Sequence, residues 1–87
     1  MEKPEFALTL TDEARALMEQ RMVLDTDVIA VMRAYRESGE AVLENDTGLL
    51  VTRRRIGNVT FWVKFTEDAE GYTVRRVYSH RMTIETR

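Results

Sequence analysis

"LLVTRRRIGNVTFWVKFTEDAEGYTVRRVYSHRMTI", residues 49–84, decides the fold. It holds three runs with the period-two alternation of strands: Leu49 to Ile56, Val59 to Glu67, and Tyr72 to Ile84. Gly57-Asn58 separates the first two runs, with the length and composition of a tight hairpin turn, and "DAEG", Asp68 to Gly71, joins the second to the third. The stretch therefore predicts a three-stranded antiparallel meander.

The turns also set a register. A two-residue turn at Gly57-Asn58 makes Ile56 face Val59, so that Arg54 faces Phe61, Thr52 faces Val63 and Leu50 faces Phe65. Pairing Glu67 with Tyr72 across the second loop, and continuing without interruption, brings Phe65 to Val74, Val63 to Arg76, Phe61 to Tyr78 and Val59 to His80. Both hairpins then name one apolar side, with Phe61, Val63, Phe65, Val74 and Tyr78 expected in the core against Leu17, Val28 and Met32. Arg53, Arg55, Trp62, Lys64, Arg75, Val77, Ser79 and Arg81 fall on the other side.

Upstream, "FALTLT" alternates Phe6, Leu8 and Leu10 with Ala7, Thr9 and Thr11, as a first strand does. Thr11 is placed to cap a helix with an acidic first turn, "DEARALMEQRM", whose stripe is Ala14, Leu17, Met18 and Arg21. A second helix starts at Asp25, with Val28, Val31, Met32 and Tyr35 at helical spacing, Arg33 and Arg36 near its C-terminal end, and Gly39 as its stop. "EAVLENDTG" has room for a brief strand. The expected architecture is a single α+β domain over residues 1–87: a strand, a two-helix hairpin, then the meander, with the helices packed on one sheet face.

Composition narrows the chemistry. The 87 residues include no cysteine and one histidine, which excludes disulfides and thiolate metal sites and leaves no basis for a cofactor or a histidine-based zinc site. "MEKPEFALTL" lacks the basic start and apolar run of a signal peptide, so a cytoplasmic protein without membrane attachment is expected. The net charge of −2 hides an asymmetry: residues 1–48 carry 5 Lys/Arg against 11 Asp/Glu, and residues 49–87 carry 8 against 4. The meander is the basic half, suited to an anionic partner.

Arg53, Arg55, Trp62, Lys64, Arg75 and Arg81 are accordingly the candidate partner-binding residues. Cations around an exposed tryptophan can hold phosphates and stack a base, or can form the centre of a protein interface; such a face can also be merely solvated. Tyr78, His80 and Arg81 are the residues a catalytic reading would need. Strict alternation sends Tyr78 and His80 to one side and Arg81 to the other, so no catalytic residue is assigned and His80 is expected to close the end of the core.

The order of elements, ending in "VYSHRMTIE", resembles the RelE/ParE superfamily, including its BrnT-like members, and "LTDEARALMEQRMVLDTDVIAVM" is similar to the helical hairpin of the small BrnT-like bacterial domains. The resemblance implies a RelE-like fold and, for the toxin members, metal-independent RNA cleavage on the ribosome, with an antitoxin as partner. Carried over, the matching positions are Arg53, Arg55, Lys64, Arg75, Tyr78, His80 and Arg81. The slightly acidic net charge departs from the strongly basic ribosome-dependent toxins. "RRIGNVTFWVKF" with "GYTVRRVYSHRMTIE" also resembles small bacterial proteins associated with larger iron-sulfur or flavin oxidoreductases, which implies an accessory subunit with no redox centre of its own. The expected function is a small non-catalytic interaction or accessory subunit; the alternative is an endoribonuclease of the toxin type.

Overall fold

In the computed structural model, which describes residues 4–81, two helices lie on one face of a five-stranded mixed sheet. The elements follow in the order β1 (Leu8–Leu10), α1 (Asp12–Arg21), α2 (Asp25–Ser38), β2 (Val42–Glu44), β3 (Leu49–Ile56), β4 (Val59–Asp68) and β5 (Gly71–Arg81). Their order across the sheet is β1-β5-β4-β3-β2. Only β1 runs parallel to its neighbour, with Leu8, Thr9 and Leu10 beside Tyr72, Thr73 and Val74. The sheet is thus broader than a meander, because β1 and β2 extend its two sides. Met82 to Ile84, expected to continue the last strand, lie outside the described residues.

Local chemistry explains the boundaries. The Thr11 hydroxyl accepts from the Ala14 amide at 3.1 Å and caps α1, which ends at Met22 in the left-handed conformation. At α2 the Asp27 carboxylate accepts from the Leu24 amide at 2.9 Å, and Gly39, at φ 71°, closes the helix. Gly57, at φ 62°, takes the first turn position between β3 and β4, where a type II′ hairpin needs a residue with positive φ. Gly71, at φ 150°, begins β5 beside Ala7, and a Cβ there would collide with the Ala7 carbonyl oxygen. Only glycine lets the first segment of the chain lie against the last strand at that point.

The β3–β4 register follows the two-residue turn throughout: Ile56 pairs with Val59, Arg54 with Phe61, Thr52 with Val63 and Leu50 with Phe65. Between β4 and β5 the expected pairs Glu67–Tyr72 and Phe65–Val74 also form. Beyond them the uninterrupted register is corrected. Phe65 pairs with Val74 while Lys64 pairs with Arg76, so β5 carries an extra residue, Arg75, in a β-bulge. One extra residue reverses the facing of everything after it. Val63 therefore pairs with Val77, Trp62 with Tyr78, Phe61 with Ser79, Thr60 with His80 and Val59 with Arg81.

The physical reason lies in burial. Val74 and Val77 are both fully buried, and two residues three apart cannot share a face of a regular strand. The bulge admits both to the core, which Phe65, Val63, Met32, Val28 and Val31 complete. Tyr78, expected there, is displaced to the opposite face, and His80 is exposed instead of closing the core. Val28 and Met32 are buried as expected, whereas Leu17 is only half-buried. α1 packs on β5, and α2 on β4 and β3. Tyr35 and Tyr72 meet Phe65 edge-on at ring-centroid separations of 4.9 and 5.7 Å, extending the core to the β1 side. No helix among the described residues is long and apolar enough to cross a membrane.

Candidate interaction face

The sheet face opposite the helices has no covering layer among the described residues. Its centre is aromatic. Trp62 and Tyr78 are cross-strand neighbours, both half-buried, and His80 meets the Trp62 ring edge-on at 6.4 Å. Strand alternation on β3 and β4 adds Arg53, Arg55, Lys64, Val51 and Leu49 to this face, and the bulge adds Arg76. Arg53 lies directly across from Trp62.

The cations around these rings are not equivalent. Lys64 donates to Glu44 at 2.8 Å, and its ammonium also stands 5.6 Å from the centre of the Tyr78 ring. That hydrogen bond, helped by one from the Thr47 hydroxyl, holds the Glu44 carboxyl below the ordinary carboxylate range. Arg76 is paired with Glu13 of α1 at 3.3 Å, and Arg21 of the same helix reaches over the Tyr78 ring at 5.1 Å. The Tyr78 hydroxyl, then the Glu13 charge, push the Arg76 guanidinium above its usual value. Arg55 donates from Nε to the Gly57 carbonyl at 2.9 Å. Arg53 has no ion-pair or hydrogen-bond partner among the described residues.

Of the residues singled out in the sequence, the structure brings together Arg53, Arg55, Trp62, Lys64, Tyr78 and His80. It separates two others: Arg75 sits in the bulge, and Arg81 faces the helix side, across from Val59. Arg76 was missed as a member of the face. The signal that could have found it is the "VRRV" of Val74–Val77, where two core valines flank an even number of arginines.

The arrangement can bind anionic groups through Arg53 and Arg55, the guanidinium groups with no carboxylate beside them, while Trp62 offers half-buried ring surface beside Tyr78. Tyr78 and His80 share the face, but Arg81 does not, so those three do not converge on one bound group. Among the described residues no cluster of three or more His, Asp or Glu side chains is arranged to hold a metal ion. Comparison of the chain with family models, with curated proteins and with solved structures gives no match.

Proposed function

We propose that this chain is a small non-catalytic interaction module that docks an acidic protein partner on its uncovered sheet face. One observation carries the reading: half-buried Trp62 and Tyr78 occupy the centre of a face whose unpaired charges, on Arg53 and Arg55, are all positive. Aromatic residues and arginine dominate the energetics of protein interfaces, and a desolvated guanidinium is best matched by a carboxylate. A larger enzyme is the partner class that the sequence resemblance to small oxidoreductase-associated proteins would imply.

The test is affinity capture with the intact chain, run beside the Trp62→Ala variant. Wild type should retain an acidic protein in stoichiometric amount, and Trp62→Ala should weaken that complex by about 2 kcal/mol or more with an unchanged circular dichroism spectrum. Equal retention by both chains defeats the proposal.

A second reading, RNA cleavage of the toxin type, is favoured by the bulge, which sets Tyr78 and His80 beside Trp62, Lys64 and Arg53 on one cationic surface. Under it, expression of the chain alone arrests translation, and His80→Ala relieves the arrest by about 10²- to 10⁴-fold in cleavage rate, the usual worth of a proton-transfer group. Harmless expression of the wild-type chain rejects that reading.

A further inference from the structure

The sheet is unfinished on its β3 side. β2 covers β3 only from Leu49 to Val51, and from Arg53 to Ile56 no strand among the described residues lies on the side of β3 away from β4. The chain enters the sheet at Val42 from Gly39–Ala41, and the Thr52 hydroxyl holds that approach by donating to the Glu40 carbonyl at 2.9 Å. In the hairpin, Ile56, Arg54 and Thr52 direct their backbone groups toward β4, so the amides and carbonyls of Arg53 and Arg55 point outward at the open side. Beside them lies a cleft of about 550 Å³, lined by Glu40, Ala41, Val42, Val51, Arg53 and Trp62.

We propose that this open side of β3 takes an extended acidic peptide segment as an additional strand, so that the partner reaches the chain by completing its sheet. Backbone pairing to Arg53 and Arg55 sets the affinity. Side chains of the added strand alternate, so carboxylates on one of its faces meet Arg53 and Arg55, while apolar residues fall on the helix side. Charge decides between occupants. A second copy paired through the same strand would set Arg53, Arg54 and Arg55 against themselves, and like charges directly opposite are destabilising. The arginine run thus blocks self-pairing and selects an acidic strand.

This inference rests on the reading of the chain as an interaction module, and deepens it. The probe is a fluorescein-labelled octapeptide alternating glutamate and valine, beside two controls: the same peptide with alternate amides N-methylated, and an alternating lysine and valine peptide. Anisotropy with the full chain should show binding of the first only, with at least a tenfold loss in each control. Arg55→Pro removes one outward amide without touching the β3–β4 ladder, and should weaken the peptide at least tenfold while Arg55→Ala weakens it less. In the wild-type chain, amide exchange at Arg53 and Arg55 should slow on peptide addition, a readout that does not depend on the proline variant folding. Undiminished binding of the N-methylated peptide, unchanged exchange at both amides, or no binding of the acidic peptide overturns the proposal. If the acidic partner protein is still lost on Trp62→Ala but bound equally by Arg55→Pro, the module reading stands and strand addition alone fails.

Discussion

Along β5, the segment Gly71–Val74 and the segment Arg76–Arg81 follow the same alternation one residue out of phase. In the first, Tyr72 and Val74 enter the core and Thr73 faces away; in the second, Val77 enters and Arg76, Tyr78 and His80 face away. A single unpaired residue at Arg75 separates them. The difference shows how one insertion in a ladder converts core candidates into surface chemistry: without it Tyr78 and His80 would lie under the helices, and the open face would hold Val77 in place of two rings.

The sharpest contrast is between the covered and uncovered faces. Phe65 is fully buried, at the point where both halves of β5 meet β4, and Phe65→Ala should cost about 3–5 kcal/mol, a large part of the stability of so small a domain. Urea unfolding measures it, and a loss below about 1 kcal/mol would mean that this side of the sheet is not the core. Deleting Arg75 probes the junction itself. Restored one-to-one pairing leaves Val74 and Val77 inside and Arg76, Tyr78 and His80 outside, so the variant should keep its fold at a cost of about 1 kcal/mol or less. In a strand without a bulge the same deletion would invert every later side chain and collapse the domain, which thermal unfolding followed by Trp62 fluorescence would reveal.

The smallest effect is electrostatic. The Arg33 guanidinium, through a hydrogen bond of 3.1 Å, lowers the Glu5 pKa from 4.5 to about 2, and Lys64 lowers that of Glu44. A carboxyl whose folded pKa lies below its unfolded value contributes stability at neutral pH and loses it as pH falls through the folded value. Melting temperature should therefore decline below about pH 4.5. Glu44→Gln should remove a small part of that decline and Glu5→Gln a larger part, since the Glu5 shift is the larger; a steeper acid limb in either variant contradicts the assignment.

The sequence was most legible where a short turn dictated geometry. Gly57-Asn58 fixes the entire β3–β4 register, since a two-residue loop leaves one alignment, and Thr11 and Gly39 mark helix ends by capping chemistry that operates locally. The β4–β5 register was legible only up to Val74, because a bulge is set by competition for the core and not by the loop that precedes it. The pairing of β1 with β5 could not be read at all: it joins residues 64 apart, such as Leu8 and Tyr72, through backbone groups that carry no sequence code. For the site, Arg53, Arg55, Trp62 and Lys64 came from the legible hairpin, while Arg76, Tyr78 and His80 depended on the bulge.

That parallel pairing has a consequence for synthesis. Leu8–Leu10 are synthesised well before Tyr72–Val74, their only strand neighbour among the described residues, which follows 64 residues later. α1 emerges with its buried residues, Ala14 and Met18, lacking the β5 strand it packs on, and the amides of the first strand stay hydrated until β5 follows. Pairing β1 with β5 closes a loop of 64 residues, the kind of non-local contact that slows folding and lengthens the exposure of apolar surface. The 11 Asp/Glu against 5 Lys/Arg of residues 1–48 give that waiting segment a net negative charge, which keeps neighbouring nascent chains apart until the basic strands arrive to complete it.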